Sequence, residues 1–244
     1  MLVPHDVFND IIKHSDMKTL VQLCKTDQTI KQLCGPFGKV LLEFSNNPYF
    51  KPDVKSDLLN DFLNDLTGND NDMLKRLQLS FGACLIGKNK LKQIIVLEGD
   101  SNGKSTFLTL LRKLLGYLFV NGSLELDTIY YDGAYLVNII ESNQNINVIS
   151  RFKELSGGYM SYYKHDPIEH KFTIVYTHDG NIDSTDKVFN NRLNLFNFKT
   201  RYVNNPPHVN EKLRITRMID ILFSDPSTLP ALLNFLLEGC REGL

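Results

Sequence analysis

A glycine-containing segment between an apolar run and a helical repeat constrains this chain most. Gln93–Leu97 is short and β-branched, which predicts a buried strand, whereas Phe107–Leu118 repeats its apolar residues at helical intervals. Between them stands Glu98-Gly-Asp-Ser-Asn-Gly-Lys-Ser-Thr106. Small residues let backbone amides turn inward, and the start of a helix adds positive potential. The order strand, loop, helix therefore predicts a phosphate-binding loop (P-loop).

The residue types in this segment suit a nucleoside triphosphate. Lys104 is placed to reach the β and γ phosphates of ATP, and the Ser105 hydroxyl is placed to ligate Mg²⁺. The usual first glycine stands six positions before the lysine, and Glu98 holds that position here, so the loop is one residue short. A plain strand-turn-helix corner is the alternative. The predicted cofactors are ATP and Mg²⁺, and the predicted binding residues are Gly99, Asp100, Ser101, Asn102, Gly103, Lys104, Ser105 and Thr106.

Later apolar runs predict further strands of one sheet. They lie at Tyr135–Ile140, Phe172–Tyr176 and Leu193–Phe198, with a helix predicted over Val148–Leu155 between the first two. Strands that alternate with helices are typical of an α/β fold. We therefore expect an α/β P-loop domain.

Helices are predicted on both sides of this sheet. Residues 1–35 show apolar residues at helical intervals, the turn-rich Phe44–Pro52 follows as a linker, and Glu211–Leu237 is predicted to be helical. The predicted domains are a small all-helical head over residues 1–45 and an α/β domain over 56–244, with leading helices at 56–90, the sheet core at 92–200 and closing helices at 211–240.

Composition limits the classes of function. A net charge of −1 excludes a global basic field, so any contact with nucleic acid must be local. The four cysteines lack zinc-ligand spacing and are expected to be reduced thiols of an intracellular protein. No apolar run reaches the roughly 20 residues that cross a bilayer, so no membrane role is expected.

Three motifs follow one another along the chain: Asn102–Thr106, the apolar run Leu136–Glu141 that ends in a glutamate, and Arg151–Gly158. They resemble motifs of the superfamily-3 helicases of large DNA viruses and phages, including the poxvirus-type primase-helicase nucleoside triphosphatases. Arg151–Gly158 is similar to that family's Lys-x-Leu-(Ser/Thr)-Gly-Gly signature. The resemblance covers about residues 56–240 in the right order. It implies an AAA+-like core, with host cytoplasm or nucleus as the location of a viral protein.

Other positions match the same family with less fidelity. His178 stands where the family has a sensor asparagine, and Asn181 is the fallback for that role. Tyr159 replaces an aspartate after the paired glycines, whereas Ala231–Gly239 is similar to the helix that closes the motor domain.

The resemblance implies a role for each remaining catalytic candidate. Glu141 would polarise the attacking water or hold Mg²⁺ through water, and His178 would donate to the γ-phosphate or to water. Arg192 would act as an arginine finger in the site of a neighbouring subunit. The implied activity is that of an ATP-dependent DNA helicase of viral-type replication, which assembles as a hexameric ring on single-stranded or forked DNA with a primase as partner.

A hairpin is predicted between Gly158 and Phe172, with polar-aromatic arms about a His-Asp-Pro turn. The family places such a hairpin in its central channel. Lys164 and His165 at the tip would then bind a DNA phosphate, and Tyr163 would offer a ring for stacking. A solvated hairpin without a ligand is the alternative.

The first 35 residues resemble the F-box-like heads of many proteins of large DNA viruses. In that interpretation Val3, Pro4, Val7 and Ile11 dock a ubiquitin-ligase adaptor; any small packing module shows a similar pattern. Three functions therefore remain open: a helicase motor, a degenerate nucleotide-binding protein without helicase activity, and an adaptor that recruits a ubiquitin-ligase component.

Overall fold

The structure is a computed structural model, and its packing separates two compact units. A helical unit is drawn from Met1–Phe62, Leu74–Ile86 and Asp220–Leu244, and a sheet unit from Leu63–Met73 and Gly87–Ile219. The expected boundary between residues 45 and 56 stays a prediction. The structure describes residues 14–26, 35–89, 92–126, 128–140, 148–158, 161–163, 166–168, 172–178, 185–206, 208, 211–213, 215 and 217–243.

Strands and helices alternate through the middle of the chain, and helices lie on both sides in sequence. Within the described ranges the helices are α1 (Met17–Thr26), α2 (Gly35–Phe44), α3 (Asp57–Thr67), α4 (Asn71–Cys84), α5 (Lys104–Leu115), α6 (Val148–Lys153), α7 (Lys187–Asn190), α8 (Met218–Ser224) and α9 (Thr228–Glu242). The strands are β1 (Ile94–Glu98), β2 (Phe119–Gly122), β3 (Leu136–Ile139), β4 (Ser161–Tyr163), β5 (Asp166–Ile168), β6 (Thr173–His178), β7 (Leu193–Asn197), β8 (Arg201–Val203) and β9 (Glu211–Leu213).

In the helical unit, α4 and α9 cross closely because each presents a glycine to the other. A Cβ atom added to Gly82 would lie 2.4 Å from the Cys240 amide nitrogen, and one added to Gly239 would lie 2.0 Å from the Gln78 carbonyl oxygen. The Gln78 side-chain amide also donates to the Phe235 carbonyl oxygen at 3.1 Å. The two backbones are therefore in direct contact.

The sheet unit is built on five parallel strands in the order β2-β3-β6-β1-β7. Every residue of β1 and of β3 is buried, as expected for a parallel sheet covered on both faces. Helix α5 covers one face with Phe107, Leu110, Leu111 and Leu114, which are at most 2% exposed. The predicted α/β class is therefore confirmed, as are the three predicted strands that become β3, β6 and β7.

Two further strand pairs lie outside this sheet. Strands β4 and β5 pair antiparallel, which confirms the predicted hairpin. Strands β8 and β9 pair in parallel, so the helix predicted from Glu211 is wrong at its start and begins at Met218 instead. Backbone pairing with β8 outweighs the helical spacing of apolar residues in this short segment.

Among the described cysteines, Cys24 departs from the expectation of reduced thiols because it is disulfide-bonded, whereas Cys84 and Cys240 are buried and form no disulfide. Metal-ligand spacing in the sequence carries no information about this bond. Burial raises the pKa of the Cys240 thiol to about 12. Among the described helices, none is both long and apolar enough to cross a membrane.

Candidate phosphate-binding site

The Gly99–Thr106 segment leaves the carboxyl end of β1 and enters α5. Strand β1 lies between β6 and β7, so the segment emerges at the interior of the sheet's carboxyl edge, where open α/β sheets bind their ligands. Glu98, the last residue of β1, is 4% exposed and pairs in register with His178 on β6. The backbone at His178 therefore lies beside the start of the segment.

Alternate residues of the segment adopt left-handed backbone conformations. The φ angles are 107° at Gly99, 50° at Ser101 and 93° at Gly103. Gly99 also has no room for a side chain, because a Cβ atom there would lie 2.4 Å from the Asn102 side-chain nitrogen and 2.8 Å from the Phe198 carbonyl oxygen. Such alternation curls a backbone into a concavity of N–H groups that suits an anion.

The buried Asn102 side chain stabilises the segment by hydrogen bonds to backbone atoms. Its side chain is 2% exposed, and its amide nitrogen donates to the carbonyl oxygens of Glu98 at 2.9 Å and Phe198 at 3.4 Å. Its side-chain oxygen accepts from the Lys104 backbone amide at 3.3 Å. These bonds tie the segment to the ends of β1 and β7, so Asn102 acts here on the backbone.

Lys104 and Ser105 begin α5. The Lys104 ammonium donates to the Gly99 carbonyl oxygen across the segment, and the residue is only 7% exposed. Ser105 is exposed and Thr106 is half-buried. Gly103 is the N-cap and offers no side-chain cap. The Lys104 amide donates to Asn102, whereas the Ser105 and Thr106 amides of the first turn receive no cap from Gly103 and face the side on which a ligand would bind.

Strand β8 flanks the other side of the segment. The Tyr202 amide donates to the Ser101 carbonyl oxygen at 2.8 Å. Arg201 forms an ion pair with Asp100 at 3.3 Å, and both side chains are more than half exposed. Asp100 and Ser101 thus have partners on β8, which sequence reasoning did not anticipate.

A cavity of about 260 Å³ is lined by residues of α5, of strands β2, β3 and β6, and by Ile140 after β3. Ser105 is part of its wall, so the cavity adjoins the Gly99–Thr106 segment. Leu108, Phe119 and Ile140 are its apolar lining residues. Its polar lining residues are Ser105, Thr109, Arg112, Asn121, Asn138 and Thr177.

Arg192 lies at the amino ends of the parallel strands, opposite the carboxyl ends where the Gly99–Thr106 segment lies. It precedes β7, and its carbonyl oxygen accepts from the amide of Ile94, the first residue of β1, at 2.8 Å. Five residues of β1 at about 3.3 Å each put the Gly99–Thr106 segment on the order of 15 Å away. The Arg192 guanidinium donates to the Lys153 carbonyl oxygen at 2.8 Å and to the Ser156 hydroxyl at 2.7 Å.

No family model and no curated protein matches this chain. Solved structures do match it. Three structures of the C-terminal region of NrS-1, all without ligand, superpose with TM-scores of 0.57, 0.56 and 0.56 at 13%, 15% and 13% identity. The matches cover 80%, 75% and 81% of this chain and 50%, 46% and 51% of those chains. The fold of this chain is therefore similar to that of the matched part of the NrS-1 C-terminal region. This chain spans about half the length of those structures.

Several predicted site residues lie outside the described residues: Glu141, Asn181, Lys164 and His165, together with Val3, Pro4, Val7 and Ile11 of the head. Tyr163 ends β4 and His178 ends β6, and only their backbones are described. These assignments stay predictions. The NrS-1 matches bear on the fold and not on these side chains.

Sequence reasoning missed the cavity beside α5. Its strongest signal was Asn138, a single amide inside the apolar run Leu136-Val-Asn-Ile-Ile140. A polar side chain in a fully buried strand needs a partner or a function. The apolar run predicts a strand that leads to the catalytic candidate Glu141, and this interpretation assigns no role to Asn138.

Proposed function

We propose that this chain binds a magnesium nucleoside triphosphate at Gly99–Thr106 and couples its hydrolysis to movement on DNA, as an ATP-dependent motor of the superfamily-3 helicase type. The supporting observation is the backbone of that segment at the carboxyl edge of the sheet. Its left-handed residues, tight Gly99 position and uncapped helix start form an anion cradle. The similarity to the NrS-1 C-terminal region supports the same type of fold.

In this proposal the Lys104 ammonium exchanges the Gly99 carbonyl oxygen for phosphate oxygens, so the lysine is held at the site before the nucleotide arrives. The exposed Ser105 hydroxyl is the protein ligand for Mg²⁺, which neutralises phosphate charge when bound. Glu141 orients the attacking water, with His178, or Asn181 in its place, beside it. The oxygen donors near Ser105 are of the hard type that Mg²⁺ prefers.

As an arginine finger, Arg192 acts in this proposal on a neighbouring subunit, because β1 separates it from its own chain's Gly99–Thr106 segment. To do so, it exchanges its bonds to the Lys153 carbonyl oxygen and the Ser156 hydroxyl for phosphate oxygens. A hexameric ring would bring it to a neighbour's site. The same ring would gather the hairpin tips, with Lys164, His165 and Tyr163 in contact with single-stranded or forked DNA. Each tip carries little positive charge, but several tips gathered in one ring would together supply the positive charge that a single chain lacks.

A second candidate is a protein that binds nucleotide without turning it over. The observation in its favour is the wall of the cavity beside α5, to which β3 contributes Asn138 and the residue after β3 contributes Ile140. Among the described residues of that wall there is no carboxylate. If Glu141 does not orient water, this chain would retain binding and lose hydrolysis.

Calorimetry with Mg-ATP and an ATPase assay with and without single-stranded DNA separate these candidates. Lys104→Ala should lose binding and turnover, and Lys113→Ala, an exposed lysine on the same helix, is the matched control. Turnover stimulated by DNA supports the motor, and binding without turnover supports the second candidate. Equal binding by Lys104→Ala and Lys113→Ala would refute the site.

A further inference from the structure

Asn138, which lines the cavity beside α5, carries a hydrogen-bond acceptor without a partner. The residue is 5% exposed, and its side-chain nitrogen donates to the Asn121 side-chain oxygen at 3.1 Å. The Asn138 side-chain oxygen is buried and has no hydrogen-bond partner. Buried polar atoms are almost always paired, so this oxygen calls for a donor from outside the protein.

The strand pleat explains why the amide faces this cavity. Val137 and Ile139 join the apolar core on one face of the sheet, so Asn138 between them projects to the α5 face. Asn121 is its register partner on β2, and the bond between the two amides fixes the orientation of both. The free oxygen is thus held in place before any ligand arrives.

The donor must be small and must fit beside the start of α5. The volume of the cavity, about 260 Å³, has room for several water molecules, and Ser105 belongs to its wall. In the proposed function Ser105 ligates Mg²⁺, an ion that keeps several of its waters when bound to proteins. Such waters are polarised and donate strongly. The neutral side-chain oxygen of Asn138 can accept a hydrogen bond from such a water. The described part of the cavity wall contains no carboxylate that would accept it instead.

We infer that Asn138 is a positioning residue that accepts a hydrogen bond from a water in the hydration shell of the nucleotide-bound magnesium. It acts on the metal through that water and does not touch phosphate. This inference rests on the proposed function, because it needs the metal at Ser105. The predicted magnesium site consists of Ser105 and Glu141, and Asn138 is a further residue that acts on the same ion.

The test compares nucleotide affinity with Mg²⁺ and with a chelator, by calorimetry on the full chain with a non-hydrolysable ATP analogue. In the wild type Mg²⁺ should tighten binding. Asn138→Leu should lose about tenfold or more of that gain, the usual effect of losing a residue that orients a metal ligand, and should keep the metal-free affinity. Asn138→Asp, which keeps an acceptor oxygen, should retain the gain.

Thr109→Val is the matched control, because Thr109 lines the same cavity but donates to the Ser105 carbonyl oxygen within its own helix at 2.7 Å. It should keep the full magnesium gain. If Asn138→Leu does not fold, Asn138→Ala replaces it with the same expected loss. An unchanged gain in whichever of these two variants folds, or an equal loss with and without Mg²⁺, overturns the inference alone. A wild type that binds no nucleotide under either condition overturns the proposed function as well.

Discussion

The Arg192 guanidinium donates to the Ser156 hydroxyl at 2.7 Å and so joins the start of β7 to the Glu154–Gly158 turn. Ser156 is 1% exposed, and Lys153, whose carbonyl oxygen is the second acceptor, forms an ion pair with Asp186 at 2.7 Å. That lysine, and then the Phe189 amide, lower the pKa of Asp186. The turn that leads to the β4–β5 hairpin is therefore held by a bonded polar network.

Arg192→Ala should lower the free energy of unfolding by about 1.5–3 kcal/mol, because a charged donor is removed from two buried or half-buried acceptors. Urea unfolding measures this change. The matched control is Arg201→Ala, which removes an exposed ion pair with Asp100 and should cost less than about 1 kcal/mol. Equal losses in the two variants would show that the network does not stabilise the fold.

Much of the fold could be predicted from spacing alone. Gln93–Leu97 and Phe107–Leu118 differ so clearly in period that β1 and α5 were placed to within a few residues, and the intervening glycines marked the turn. Parallel strands buried on both faces give long apolar runs, which is why β3, β6 and β7 were also found. These features depend on local sequence.

The rest depends on partners that are distant in sequence. The three-residue strands β8 and β9 are too short for a period, and only their mutual pairing makes them strands. Asn102 is predicted to be one of the nucleotide-binding residues, but the bonds of its side chain to Glu98 and Phe198 could not be predicted, because the second of them spans 96 positions. The orphaned oxygen of Asn138 likewise appears only once β2 and α5 are in place.

Gly99→Ala should disrupt the Gly99–Thr106 segment, because the new Cβ would meet both Asn102 and the Phe198 carbonyl oxygen. We expect a loss of about 2–4 kcal/mol in stability, from left-handed strain plus overpacking, together with loss of nucleotide binding. Gly133→Ala is the control, since Gly133 has a φ of 80° but open space around it. It should show the strain of about 1–2 kcal/mol without the loss of binding. Calorimetry that finds full nucleotide affinity in Gly99→Ala would contradict this account.

Asp225 should make the stability of the helical unit depend on pH in acid. Hydrogen bonds from the Ser227 side chain, then the Ser56 side chain and the Ser227 amide, lower the pKa of Asp225 from 3.8 to about 2. A depressed pKa means that the stabilisation is full above about pH 4 and is lost as pH falls toward about 2. Asp225→Ala should therefore cost about 1 kcal/mol near neutral pH, the size of a lost capping interaction, and less near pH 3.

Urea midpoints of the wild type and Asp225→Ala at about pH 7 and about pH 3 measure this difference. Asp61→Ala, which removes an exposed carboxylate of α3, is the control and should change stability by less than about 0.5 kcal/mol at both values. A gap between wild type and Asp225→Ala that stays constant down to pH 3 would rule out a titrating Asp225.

Gly239→Ala should separate α4 from α9, because its Cβ would lie 2.0 Å from the Gln78 carbonyl oxygen, a backbone atom that cannot rotate away. We expect a loss of about 1–3 kcal/mol or more, the usual cost of overpacking, and faster reaction of the buried Cys84 and Cys240 thiols with a thiol reagent. Gly243→Ala is the control, because its Cβ would lie 3.2 Å from the Gly239 carbonyl oxygen near the end of α9, where a small shift relieves the contact. Thiol labelling as slow in Gly239→Ala as in Gly243→Ala would mean that the helices tolerate the extra methyl group, and close backbone contact would then not be what keeps these thiols buried.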